Sequence, residues 1–204
     1  MMRAGEAFSE AWQIYREELV AWTVFAAVPV LVGTLIPLVG ALVLLPNVLR
    51  EAEAAIAARR APEVGAIFSF EEIGRDLVVS LLYLGAQGVG ALFCCIGQPI
   101  AWLFCWYSLE LSADGRVSPL DALRASAKWV GQNLGPTLTM ALVSVALNSL
   151  GASLGFGFGV FLTMPLVFIA WALHWADIRE EVHALAAEQG LDVAPASYHQ
   201  AGSP

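Results

Sequence analysis

His174, Asp177 and Glu181 recur at i, i+3 and i+7, which sets an imidazole and two carboxylates on one helical face. Such a trio can ligate a divalent ion, since imidazole nitrogen and carboxylate oxygen are both competent metal donors. No second helix offers a matching His or carboxylate pair, although Glu110 could approach. The set is therefore read as a solvated helix end flanked by Trp171 and Trp175, and no metal or cofactor site is assigned. Adjacent Cys94 and Cys95 suit neither a disulfide framework nor a zinc knuckle, which need wider spacing, and with Cys105 they read as small buried hydrophobes. Gly151, Gly155, Gly157 and Gly159 imitate a phosphate loop, yet no Lys-Ser/Thr follows them and no strand precedes them. No Ser-His-Asp order, HExxH or paired-carboxylate motif is present. The chain is expected to be non-enzymatic, with no catalytic residue.

One stripe carries polar groups at regular spacing: Thr137, Ala141, Ser144, Asn148, Gly151 and Gly155. Small residues at heptad-like spacing let helix backbones approach closely, and Ser, Thr and Asn can hydrogen-bond across such a seam. A packing seam is expected, with a polar lining for a solute path as the alternative. Ala86, Gly90, Cys94 and Gly97 form a similar stripe without the polar groups. Gln87, Gln98 and Asn148 are the amides placed deepest in apolar sequence.

The elements that must position these residues are set by where charge is absent. Residues 19–49, 77–109 and 129–176 contain no Asp, Glu, Lys or Arg at all. A water-soluble helix needs a wet face, so a soluble domain would scatter its charges through every element. Exclusion of charge over more than about 20 residues at a time is the requirement of a lipid bilayer. Hydrophobic residues make up 58% of the chain and the mean hydropathy is +0.69, both above soluble norms. The net charge of -8 excludes a basic nucleic-acid surface and a polybasic grip on anionic lipid.

The first run is too long for one upright helix and short for two; Pro29, Gly33, Pro37 and Pro46 punctuate it, and a hairpin is preferred over a kinked single span. The second is divided at Gly97-Gln98-Pro99, giving a hairpin over 77–113 with Glu110 placed at the membrane interface. The third accommodates two full spans over 134–176, with Gly151–Gly159 as the turn. The fold class is thus all-α: a polytopic bundle of about six helices in three hairpins, joined by polar linkers 50–76 and 114–133.

Two amphipathic helices accompany them. Over residues 1–18, Phe8, Trp12, Tyr15 and Leu19 line one face, with Ala7 and Ala11 beside them, and Glu6, Glu10, Gln13 and Glu17 line the other. Ser118-Pro119-Leu120-Asp121 reads as a capped helix start, with Leu120, Leu123, Ala127 and Val130 on its apolar face. Trp12, Trp102, Trp106, Trp171 and Trp175 are expected as interfacial anchors. Residues 179–204 read as a polar helix followed by a disordered tail. If each run is a hairpin, all ten basic residues fall on one side of the bilayer, which places the termini and linkers in the cytoplasm by the positive-inside rule.

Further motifs follow in order: the Ala-Phe…Ala-Trp helix, Ile36-Pro37-Leu38-Val39-Gly40, Arg60-Ala61-Pro62, Asp121-Ala122-Leu123…Ser126…Gln132-Asn133, and Thr163-Met164-Pro165 with His174. This order resembles bacterial multi-spanning membrane proteins related to the membrane domain of glycerophosphoryl diester phosphodiesterase, over residues 4–178. The resemblance implies a six-helix, hairpin-built bundle in the bacterial inner membrane and no reaction, because the phosphodiesterase's catalytic domain has no counterpart here. The expected role is a scaffold or accessory subunit that meets lipid, itself or another membrane protein, with a transporter or channel for a small or lipid-like solute as the alternative.

Overall fold

The computed structural model describes residues 2–35, 44–154 and 159–194. Every regular element among them is helical: α1 (Ala4–Glu17), α2 (Leu19–Leu35), α3 (Leu45–Ala58), a 3-10 turn (Val64–Phe68), α4 (Ile73–Leu92), α5 (Cys94–Phe104), α6 (Ser108–Ala113), α7 (Pro119–Gln132), α8 (Leu134–Ser153) and α9 (Val160–Glu188). The chain divides into two compact units. The first comprises Met1–Ser69 and Gly135–Ile178, the second Phe70–Leu134 and Arg179–Pro204.

Among the described residues, two helices are long and apolar enough to cross a membrane: α8 with 20 residues and α9 with 29. At 1.5 Å per residue these extend about 30 and 43 Å, against a hydrocarbon core of about 30 Å. The expectation of six spans narrows accordingly. α5, with 11 residues, is short of a full crossing, and α2 is described over 17 residues, as far as Leu35. Residues 36–43, where the first hairpin would turn, lie outside the described residues, as do Gly155 and Gly157 of the third turn and the tail from 195 onward.

In the first unit, α1 opens with the Arg3 amide donating to the Glu6 carboxylate at 3.0 Å. Its buried stripe is Ala7, Ala11 and Tyr15, whereas Trp12 is 50% exposed. The part of the apolar side turned inward is therefore the Ala7–Ala11–Tyr15 edge, and Trp12 is left outside it. Alanines let the helix axis approach its neighbours closely, and the bulky aromatic faces outward. The hydroxyls of Tyr15 and Thr23 lie 2.8 Å apart and tie α1 to α2 across the corner at Glu18. In α2, Trp22, Phe25 and Ala26 are buried while Leu19, Val20, Val24 and Leu31 are exposed.

α3 begins inside the first charge-free run, with Pro46 in its first turn, and continues across Arg50 without a break. Pro46, Asn47, Val48 and Leu49 are all buried, so the end of that run is the first turn of a helix that continues into the polar linker. The helix closes on Arg59 in the left-handed region (φ 49°), with the Arg59 and Arg60 amides donating to the Ile56 and Ala55 carbonyls.

In the second unit, α4 and α5 form the antiparallel pair expected of the second run, but the reversal falls at Phe93, not at Gly97-Gln98-Pro99. Gly90 and Gly97 explain the shift. A Cβ on Gly97 would collide with the Gly90 carbonyl oxygen, and one on Gly90 would lie 2.7 Å from the Gly97 oxygen. The backbones touch where neither residue has a side chain. Pro99 sits within α5, as Pro29 and Pro165 sit within α2 and α9, so none of these prolines ends its helix.

α7 starts at Pro119, where the Ser118 hydroxyl accepts from the Asp121 amide at 3.3 Å. Its buried face is Ala122, Ala125, Ser126, Trp129 and Val130, while Leu120 is exposed. Ser126 donates to the Phe104 carbonyl at 2.8 Å, fastening α7 to the end of α5. The last turns of α9 are buried along Val182, His183 and Ala186, which corrects the expectation of a wholly solvated polar helix there.

Candidate functional site

The polar stripe of α8 lies in the first unit. Thr137, Ala141, Ser144 and Gly151 are buried and Asn148 is half-buried. The Trp171 indole N–H of α9 donates to the Ser144 hydroxyl at 2.8 Å, and that hydroxyl donates to the Met140 carbonyl at 2.8 Å. One and two turns further on, the Thr163 hydroxyl donates to the Asn148 side-chain oxygen at 3.0 Å. At the tip, a Cβ on Gly151 would strike the Thr163 hydroxyl and lie 2.9 Å from the Gly159 carbonyl oxygen. Ser144 and Asn148 thus bond to α9 or to their own helix. Such an arrangement sets the register of two helices.

The tryptophans expected as anchors divide by environment. Trp12 is exposed, and Trp102 and Trp106 are half-buried with their rings edge to face at 4.7 Å. Trp171 and Trp175 are buried inside the protein. They correct the anchor reading, because an indole enclosed by protein has no face left for a headgroup layer. His174 is buried beside Trp171, ring centroids 6.1 Å apart, whereas Asp177 and Glu181 are exposed. Asp177 accepts a hydrogen bond from the Met2 amide. Among the described residues no group of three or more His, Cys, Asp or Glu side chains could hold a metal ion.

Glu110 departs from its expected interfacial place. It is 3% exposed in α6, and its Oε2 makes no hydrogen bond. The cause is the break at Cys105–Tyr107, which ends α5 early and lets α6 tuck against α4 and α7. Other buried polar atoms of this unit also lack a hydrogen-bond partner, among them Ser80 Oγ, Gln87 Nε2 and Ser112 Oγ. Cys105 is a free, buried thiol.

Two polar clusters escaped sequence reasoning. In the first unit, the buried Glu51 carboxylate accepts from Arg60 at 2.6 and 3.1 Å and from the Glu63 amide at 2.7 Å. The Glu51 hydrogen bond raises the Arg60 guanidinium further above its ordinary value. Asn47 donates to the Ile67 and Ser69 carbonyls, so the loop after α3 is folded back on its start. In the second unit, His183 Nε2 lies 2.8 Å from Asp114 Oδ2, Arg116 pairs with Glu180 at 2.9 Å, and Arg75 donates to the Gly115 and Val117 carbonyls. The partners are far apart in sequence and share no local motif, so nothing short-range signalled them.

The site and fold together define a helical protein with a tightly seamed pair of membrane-length helices. The chain is similar, at 26% identity over 103 residues, to the uncharacterised proteins Rv2560 of Mycobacterium tuberculosis (strain H37Rv) and Mb2590 of Mycobacterium bovis. The match takes in 50% of this chain and 31% of each relative, so the chain spans under a third of the length of the curated relatives it matches. No family model matches the chain, and no solved structure matches it.

Proposed function

We propose that this chain is an integral membrane protein of non-enzymatic type, a scaffold or accessory subunit of a membrane assembly. One observation carries the reading: bulky apolar side chains stand exposed in rows along its apolar helices. Leu92, Phe93 and Ile96 at the α4–α5 reversal are 81%, 72% and 74% exposed, and Leu142, Val145 and Leu150 project outward along α8. In water each such side chain forgoes about 1.5–3 kcal/mol of burial. In hydrocarbon that penalty vanishes, and close backbone packing becomes the main source of helix association. The hairpin-built bundle enters here as the architecture, α8 and α9 crossing fully and the shorter helices inserting beside them, with polar linkers and termini on the cytoplasmic side of a bacterial inner membrane. The mycobacterial relatives fit that host.

Single-cysteine labelling at Gly65 and Arg116, in a background lacking the three native cysteines, tests the topology. Labelling of both from one side is expected; labelling from opposite sides removes the all-hairpin arrangement. Crosslinking and native mass spectrometry in lipid test the role. A strictly monomeric protein that captures no membrane partner overturns it. The buried, unbonded oxygen and nitrogen atoms of Ser80, Gln87, Glu110 and Ser112 favour the second reading, a transporter for a small or lipid-like solute. Solute flux in proteoliposomes that falls in a Glu110→Gln variant is its signature.

A further inference from the structure

We propose that a cavity in the first unit, walled by the polar face of α1 and the last turn of α3, binds a phosphoethanolamine group. The cavity measures about 420 Å³, a volume suited to a small ligand, and its polar wall is Glu10, Gln13, Glu17, Glu18 and Arg59, with Trp22 beside them. Glu10, Gln13 and Glu17 recur at 3 and 4 residues on α1, so the face that sequence alone marks as merely wet is one wall of a concavity.

The charges in this wall are not matched to one another. The Arg60 guanidinium also borders the cavity but is engaged by Glu51 and Glu63. The Arg59 guanidinium makes no ion pair among the described residues, and neither do Glu10, Glu17 and Glu18. Trp22 is buried, with its indole N–H lacking a hydrogen-bond partner. Three carboxylates opposite one uncommitted guanidinium call for a ligand with a cationic pole and a smaller anionic one. Carboxylates accept hydrogen bonds, so a primary ammonium with three donors suits them better than a quaternary one, which prefers a cage of aromatic faces. A planar guanidinium is the natural partner of a phosphate.

The group has two possible sources, a phosphatidylethanolamine headgroup or free phosphoethanolamine. Glu18 adjoins Leu19, the first residue of the first charge-free run, which sets the cavity at headgroup depth. That lipid source rests on the membrane reading above; the chemistry of the cavity does not.

The test uses the full chain in detergent, mixed with equal amounts of dioleoyl phosphatidylethanolamine, phosphatidylcholine and phosphatidylglycerol and read by native mass spectrometry. Calorimetry with O-phosphoethanolamine and flotation with vesicles run in parallel. The ethanolamine lipid should be retained about tenfold over the other two, and Glu17→Gln and Arg59→Asn should each lower retention about tenfold, the scale of one charge-assisted hydrogen bond. Asparagine tolerates the left-handed backbone of Arg59, so that variant folds, and Glu71→Gln, which is not among the lining residues, serves as a control. Equal retention of all three lipids, or variants that bind as the parent does, overturns the proposal. A protein that floats with vesicles without discriminating among headgroups sinks the cavity and leaves the membrane reading standing. One that does not float, yet binds free phosphoethanolamine through Glu17, upholds the cavity with a soluble ligand and ends the membrane reading.

Discussion

Replacing Gly90 with alanine should destabilise this protein, while the same change at Gly88, two residues earlier on α4, should not. A Cβ at Gly90 would sit 2.7 Å from the Gly97 oxygen, 2.8 Å from Ala101 Cβ and 3.1 Å from Gln98 Cα. Ordinary contact begins near 3.4 Å, so the α5 backbone must retreat by about 0.7 Å. None of the three atoms can rotate away, since two are main chain and the third is fixed to it. Overpacking of this kind costs about 1–3 kcal/mol, and the helix propensity of alanine offsets about 1 kcal/mol of it. At Gly88 nothing lies within 4 Å, leaving the propensity gain alone. Comparing the two variants cancels that gain and isolates the collision. For a domain of this size 1 kcal/mol moves the midpoint by about 2–4 °C, so Gly90→Ala should melt about 2–12 °C below Gly88→Ala. Thermal unfolding in detergent followed by circular dichroism, with the thiol reactivity of buried Cys105 as a second probe, provides the comparison. Equal midpoints, or a higher one for Gly90→Ala, would refute the backbone contact as the reason for the reversal at Phe93.

Glu51→Gln should lower stability by about 1.5–3 kcal/mol, because a buried carboxylate that accepts from Arg60 and from the Glu63 amide loses its charge. The half-exposed state of Arg60 moderates that figure, and an unchanged midpoint would argue that the cluster contributes nothing. Asp114→Ala should speed amide exchange across residues 179–188, where His183 and Arg179 reach the lost carboxylate; exchange at the parental rate contradicts that role. At the N-terminus, hydrogen bonds from the Arg3 side chain and then its amide hold the Glu6 carboxyl below its ordinary value. A depressed folded value means the contribution is complete above the unfolded value and disappears as pH falls through the folded one. Amide protection in the first turn of α1 should therefore decline on acidification in the parent but not in Glu6→Gln.

Periodicity located the helices well, and their inward faces poorly. α7 starts at the Ser118-Pro119 signal, because capping acts locally. Orientation is different. In α1 the expected apolar side buries Ala7, Ala11 and Tyr15 but leaves Trp12 exposed; in α7 Val130 goes inward as expected, Leu120 stays outside, and Ala122, Ala125, Ser126 and Trp129 are enclosed as well. Hydrophobicity ranks faces by transfer from water, whereas the neighbours packed on a helix decide which part of an apolar face is enclosed. The reversal at Phe93 was misplaced for a related reason. Gly97-Gln98-Pro99 has turn composition, but contact between Gly90 and Gly97 depends on two residues seven apart. Glu110 was assigned to the interface on the cost of charge in lipid, and enclosure by α4 and α7 cannot be read from one strand of sequence. The Glu51–Arg60 and Asp114–His183 pairs were likewise invisible, since the chain must fold back before either exists.

The outward set of Trp12 also gives the molecule an optical handle. All seven tryptophans fall within the described residues, and the other six are buried or half-buried. An indole in contact with solvent emits at longer wavelength than a shielded one, so the red edge of the intrinsic fluorescence belongs mainly to α1. Brominated acyl chains or an aqueous quencher acting on that edge would report the depth of a single helix, with no label attached and no residue changed.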